Sequence, residues 1–165
     1  MTSRLVSTLL WVAVLLGVAV AVAPAASASP TSDEAVRIMN LDYKSFITYK
    51  NKVDKVSQFN WTSDGCSSRW YTAPVHPVYR NLFNRPCQQH DFGYRNFGTH
   101  EHGLALSPTE DTRAWIDARF ITEMNRLCDT NFRSWWQTYN KIACKGEASS
   151  MYAAVRNGGR GSFYA

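Results

Sequence analysis

Cys87-Gln88-Gln89-His90-Asp91-Phe92-Gly93-Tyr94-Arg95-Asn96 is the stretch on which the fold turns. Pro86, with its fixed φ, suits the first position of a helix, so the spacing predicts a helix from Pro86 to about Asn96. At helical intervals from Cys87 come His90, Asp91 and Tyr94, which puts four residues capable of polar chemistry on one broad face. Such a face needs helices to pack against, and the flanking sequence supplies them.

Upstream, Thr31-Ser32-Asp33-Glu34 has the capping-box form, and Val36, Met39, Tyr43, Phe46 and Ile47 follow at helical spacing. This predicts one helix from about Ser32 to Lys50. From Asn51 to Asn84, the turn-forming pairs Asp64-Gly65, Ala73-Pro74 and His76-Pro77 read as loop with short helical pieces. Downstream, Asn96 to Leu106 carries Gly98 and Gly103 and reads as a connector, with His100-Glu101-His102 on a solvated face. Ser107-Pro108-Thr109-Glu110 forms a second capping box with Pro at the first helical position, opening a helix to about Leu127. Its inward stripe is Ala114, Asp117, Ala118, Ile121, Met124 and Cys128. Trp135 and Trp136 are expected in the core, Ser149 to Arg156 as a short helix, and Gly158-Gly159-Arg160-Gly161 as a flexible tail. Strand-like alternation is missing over any convincing length, so the expected fold is mainly α: a small helical domain with an antiparallel central pair carrying the site.

The 165 residues suit one domain, and 9 Gly, 6 Pro and 13% aromatics exclude collagen-like and low-complexity classes. No solenoid period is visible. The first residues read differently from the rest. Arg4 precedes an apolar run from Leu9 to Ala23 that ends in Ala26-Ser27-Ala28, a small-x-small cleavage pattern. The expectation is a signal peptide at 1–28 and a catalytic domain at 29–165 in a secreted, extracellular protein. Arg4 is the only charged residue before Ser29, so export would leave a net charge one below the +5 of the whole chain. That mild excess is compatible with anionic membranes or nucleic acid and selects neither. The four cysteines, Cys66, Cys87, Cys128 and Cys144, lie beyond the signal, and an even count in an exported chain suggests two disulfides, with three pairings open. Long intervals and the lack of a C-x2-C knuckle disfavour zinc.

An inward Asp117 needs a partner, because burying an unpaired charge is strongly unfavourable. Two antiparallel helices would hold His90 and Asp117 at heights of roughly 10 and 15 Å from the connecting turn, close enough to meet. The carboxylate would then fix the imidazole tautomer that leaves the other ring nitrogen free as a base. Asp91 points about 100° away around the helix and can hold a cation instead. Asp64 is the natural second ligand: were Cys66 paired with Cys87, the bridge would tie the Asp64 loop to the turn before His90. Carboxylates and loop carbonyls make a hard, oxygen-only site, which favours Ca²⁺.

The run from Cys87 to Asn96 resembles the C-x-x-H-D-F-G-Y-R-N signature of the small secreted phospholipases A2 of bacteria and fungi. Trp61-Thr62-Ser63-Asp64-Gly65-Cys66 is similar to that family's calcium loop, and Ile116-Asp117 to its catalytic aspartate segment. The resemblance runs from about Phe59 to Cys144. It implies that Cys66 pairs with Cys87 and Cys128 with Cys144, that His90 and Asp117 are catalytic, and that the Asp64 carboxylate, the Gly65 carbonyl and the Asp91 carboxylate hold calcium. Tyr94 is expected as a structural hydrogen-bond donor to Asp117 or a neighbour. The double cysteine and glycine-rich calcium loop of the animal enzymes are missing, so the likeness is to the microbial branch. The implied activity is calcium-dependent hydrolysis of the sn-2 ester of glycerophospholipids. The expected partner is a phospholipid membrane or micelle surface, with no nucleic acid, and the chain is expected to be a monomer. The competing expectation is a calcium-dependent lipid-binding or toxin-like protein on the same fold without turnover. A binder, however, has no need of both His90 and Asp117.

Overall fold

A computed structural model describes residues 31–67, 77–100 and 103–164, and among these every regular element is helical. The expected signal peptide, Ala73-Pro74, His76, Glu101 and His102 lie outside the described residues. The helices are α1 (Ser32–Met39), α2 (Tyr43–Lys50), α3 (Pro77–Leu82), α4 (Asn84–Phe97), α5 (Glu110–Asn131), α6 (Thr138–Gly158) and α7 (Arg160–Tyr164), with a 3-10 turn at Trp135–Gln137.

The capping oxygen of Thr31 accepts from the Glu34 N–H, as the first capping motif predicts, but the helix it opens is shorter than expected. It stops at Met39, and Asp42 caps a second helix by accepting from the Lys44 and Ser45 N–H groups. Asp42 competes for the backbone there as Asp residues do at N-caps. The carbonyls freed at the break do not go unpaired. Gln89 donates to Met39 O and Leu41 O, and Arg119 also donates to both, so the kink is latched to α4 and α5.

Helices α4 and α5 run antiparallel. Gly93 faces Ile116 while His90, one turn earlier, faces Phe120, one turn later. A Cβ at Gly93 would lie 2.7 Å from Ile116 Cγ2, so the missing side chain is what lets the two helices approach. Helix α6 returns antiparallel along α5: Cys128 is bonded to Cys144 near one end, and Arg113 donates to Val155 O near the other. Cys66 is bonded to Cys87. One hydrophobic cluster, with both disulfides, fills the space between α4, α5 and α6; a second, built on Phe46, Phe59, Phe92 and Phe97, lies beneath α1 and α2.

Several expected boundaries move. Helix α4 begins at Asn84, which leaves Pro86 still within the first turn, where its missing N–H costs nothing. The cap of α5 is Thr109, accepting from Thr112 N, rather than Ser107, so Glu110 is free to pair with arginines instead of closing a capping box. The buried face of α5 is wider than the expected stripe. Asp117, Met124 and Cys128 are buried, but Ala118 is exposed and Ala114 and Ile121 are half-buried, while Ile116, Phe120 and Leu127 are buried. The cause is that α5 packs between two helices and not against one. Helix α6 covers the expected short helix and continues upstream through Gly146, whose Cβ position meets nothing. The tail is ordered as α7, with Phe163 fully buried against Tyr94 and its carbonyl accepting from Thr99 N. Trp135 and Trp136, expected in the core, are 83% and 70% exposed.

Candidate active site

The site begins with α4, whose one face buries Cys87, His90 and Tyr94 toward α5. His90 Nε2 lies 2.8 Å from Asp117 Oδ1, and both residues are buried. The imidazole is clamped between the Tyr94 ring at 4.2 Å and the Phe120 ring at 4.7 Å. With Nε2–H donating to Asp117, Nδ1 carries the lone pair, and among the described residues it has no protein partner.

Asp117 uses both oxygens fully. Oδ1 accepts from His90 and from the Tyr94 hydroxyl at 2.9 Å. Oδ2 accepts from Arg156 Nη1 at 2.8 Å, with Arg113 Nη1 at 3.4 Å. Burial pushes the Asp117 carboxyl up, but His90, Arg156 and Tyr94 outweigh it and hold the group below the usual carboxylate range. Glu110 organises the two arginines, accepting from Arg113 Nε and Nη2 and from Arg156 Nη2, and these contacts lower it to about 2. Arg113 also donates to the carbonyls of Val155 and Arg156, satisfying the last turn of α6 while seating it beside the dyad. Burial and the nearby Asp117 charge push the Tyr94 phenol up, so it stays a hydrogen-bond donor as expected.

Neither arginine was singled out from the sequence. Arg113 stands four residues before Asp117 on the same helical face, a spacing that a search for partners of an inward carboxylate could have used. Arg156 is 39 residues away and left no local signal.

The loop that carries Asp64 is held to α4 at several points. Asn96 accepts from Asn60 N and donates to Asn60 O, and Trp61 lies 4.7 Å from the Phe92 ring. Asp91 Oδ2 accepts from the Ser63 hydroxyl at 2.5 Å and from Gly65 N at 3.2 Å. Gly65 has φ of +65°, the left-handed region that its missing side chain permits, and the Cys66 bridge to Cys87 follows at once. The result is a cavity of about 140 Å³ lined by Asp64, Gly65, His90, Asp91, Phe120 and Val155 among others. His100, from the expected solvated connector, is exposed and reaches its rim.

The donor chemistry here fits a hard cation. Burial pushes the Asp91 carboxyl up to about 6, and its direct hydrogen-bond partners are a hydroxyl and an amide, so it lacks a bonded countercharge. Asp64, on the same cavity, is exposed and pairs with Arg95 at 3.3 Å. Partial burial works against its ionisation, but Ser67 and the Arg95 charge help keep it below the usual range. Among the described residues no three His, Cys, Asp or Glu side chains converge, so a cation held by Asp91 and Asp64 would draw its other ligands from carbonyl oxygens and water.

The family model described as "Prokaryotic phospholipase A2" matches residues 35–159. A "Secretory phospholipase A2" of Beauveria bassiana (strain ARSEF 2860) is 31% identical over 115 residues, covering 68% of this chain and 50% of that protein. Another protein of that name, from Arthroderma benhamiae (strain ATCC MYA-4681 / CBS 112371), is 33% identical over 105 residues, covering 62% of this chain and 61% of its own length. The match thus spans about half of one relative and under two thirds of the other. Because the family model runs from within α1 past the end of α6, with the loop, the His90 and Asp117 pair and both bridges inside it, this chain belongs to the prokaryotic phospholipase A2 family.

Proposed function

We propose that this chain is a secreted, monomeric, calcium-dependent phospholipase A2 that hydrolyses the sn-2 ester of glycerophospholipids, with 1–28 as its signal peptide and 29–165 as its catalytic domain. The observation that carries the reading is the buried His90 and Asp117 pair, whose free imidazole nitrogen shares a cavity with Asp64, Gly65 and Asp91. Two disulfides and no free cysteine suit an oxidising, extracellular setting.

In this reading Asp91 and Asp64 supply carboxylates and Gly65 a backbone carbonyl to hold calcium. Bound calcium supplies the positive charge that polarises the ester carbonyl and steadies the phosphate. His90 Nδ1 accepts a proton from a water molecule, whose oxygen attacks the sn-2 carbonyl carbon. Asp117 keeps Nε2 protonated and stabilises the imidazolium that results, and Tyr94 and Arg156 hold that carboxylate still. The proton on Nδ1 then passes to the departing glycerol oxygen as the ester C–O bond breaks, leaving lysophospholipid and free fatty acid. Phe120 and Val155 give the cavity an apolar wall suited to an acyl chain. Among the described residues all cysteines are bridged, and the sequence has no G-x-S-x-G elbow, so water is the nucleophile and not a side chain.

The test is fatty-acid release from phosphatidylcholine vesicles with and without a calcium chelator. Release that needs calcium and vanishes in His90→Ala supports the reading. Calcium-dependent vesicle binding with no release would make the chain a lipid-binding protein, and release that survives chelation would remove calcium from the mechanism.

A further inference from the structure

Helix α7 begins at Arg160, one residue past the stretch that the family model matches, and yet it packs on the residues around Asp117. Phe163 is fully buried, with its ring edge to face against Tyr94 at 5.2 Å. The same Tyr94 ring lies 4.2 Å from His90, and its hydroxyl donates to Asp117 Oδ1 at 2.9 Å. Thr99, just past α4, pins the helix from the other side: its backbone N–H donates to Phe163 O at 2.8 Å and its hydroxyl to Tyr164 O at 2.9 Å. A side chain at Gly98 would collide with Phe163 O, and a Cβ at Gly159 would lie 2.8 Å from the Tyr94 hydroxyl, so both junctions close to backbone contact.

Helix α7 thus reaches both arms of the Asp117 network. On the Oδ2 side the Tyr164 hydroxyl donates to Glu110 Oε2, the carboxylate that organises Arg113 and Arg156. That bond is 3.4 Å long and exposed, so it adds little. The Oδ1 side is different, because the contact there is a buried ring. A phenol turns about its side-chain torsions unless packing fixes it, and a hydroxyl swung out of line loses much of its hydrogen bond. The Phe163 ring, the His90 ring and the Gly159 backbone bound the space in which Tyr94 can turn. Were the hydroxyl to leave, Oδ1 would keep His90 alone, and the carboxylate would be held on that side only by the imidazole it has to orient.

We propose that α7 is a clasp on the active site and that Phe163 is a positioning residue acting through Tyr94: it keeps the Tyr94 hydroxyl on Asp117, and so keeps that carboxylate aligned with His90. The clasp rests on the His90 and Asp117 dyad of the reading above. Phe163 is not among the residues that line the cavity, so its effect reaches the reaction only through its neighbours.

The test is a double-mutant cycle on the full chain, read as initial rates on a monomeric short-chain phospholipid in excess calcium, with circular dichroism and thermal unfolding to show that each variant is folded at the assay temperature. Tyr94→Phe should lower kcat about tenfold, the effect of losing one hydrogen bond to a charged group. Phe163→Leu keeps most of the apolar fill and loosens the hydroxyl without removing it, so it should lower kcat roughly fivefold while KM and the calcium midpoint stay as in wild type. Phe163→Met, closer in length, should show a smaller fall in the same direction and serves if the leucine variant unfolds. In the Tyr94→Phe background, Phe163→Leu should cost less than about twofold, because no hydroxyl remains to be placed. A side chain that only stabilised the fold would lower the unfolding midpoint in both backgrounds and leave kcat of the folded protein alone. Wild-type kcat in Tyr94→Phe or in a folded Phe163 variant, or an equal loss in both backgrounds, overturns the clasp. Where that happens and His90→Gln is inactive in the same assay, the dyad reading stands without the clasp; a His90→Gln variant with the wild-type rate sinks both.

Discussion

Arg156→Met removes the one guanidinium that meets Asp117 Oδ2 at close range, 2.8 Å, while leaving a side chain of similar length to pack. A hydrogen bond to a charged group contributes about 1.5–3 kcal/mol. The Arg156 side chain is 25% exposed, so solvent screens part of its charge, and Arg113 at 3.4 Å can take over some of the contact. Both facts place the loss near the lower end, about 1.5–2 kcal/mol, which is a fall in kcat of roughly ten- to thirtyfold. KM should hardly change, because Arg156 faces Asp117 and Glu110. Initial rates on a monomeric short-chain phospholipid, with circular dichroism to verify the fold, measure this directly. Arg156→Lys should recover part of the rate. In an Asp117→Asn background, where no carboxylate charge remains to be held, Arg156→Met should cost no more than about threefold. Full activity in a folded Arg156→Met variant, or an undiminished penalty in the Asp117→Asn background, would refute the role assigned to Arg156.

His90→Gln should abolish turnover while leaving calcium affinity within a few fold, because base and ligands are separate groups; activity rates beside calcium calorimetry check this, and a fully active variant would displace His90 as the base. Calcium affinity should fall with acidity. The metal-free Asp91 carboxyl titrates at about 6, raised from its ordinary value, so protons compete with calcium below that point, by up to tenfold per pH unit, and cease to matter above it. By the same sign, the metal-free fold loses stability from this group as pH rises from about 4 to about 6, and calcium restores it. Calorimetric titrations between pH 5 and pH 7 with a constant midpoint, all within roughly one unit of that carboxyl, would contradict this account. Gly93→Ala should destabilise the fold by about 1–3 kcal/mol, since its Cβ would lie 2.7 Å from Ile116 Cγ2, and thermal unfolding would register the lowered midpoint.

Much of the candidate site is legible in the sequence because its signals are local. His90, Asp91 and Tyr94 sit at helical intervals, and those intervals alone put them on one side of α4. The need of an inward Asp117 for a partner follows from the cost of burying charge, and His90 answers it in the structure. Thr31 caps its helix as its position implies. Asp42 shows the limit: its ability to cap was present in the sequence, but a continuous apolar pattern across Met39 and Tyr43 masked the break. What closes that break, Gln89 and Arg119 on two other helices, belongs to no nearby pattern.

The sequence by itself determined the class of fold and offered candidate groups for chemistry, because capping, helical periodicity and residue type act over a few positions and survive without neighbours; its cysteine count left three pairings open, and the pairing came with the family resemblance and is seen in the structure. Only the tertiary structure decided which side of Asp117 is held by arginines. It also decided that the glycine-rich tail folds over Tyr94, and that Trp135 and Trp136 face water. Those outcomes depend on which surfaces are already covered when helices 20 to 40 residues apart meet, as Arg156 and Asp117 do across 39 positions. Burial is a property of the packed assembly, and no single segment carries it.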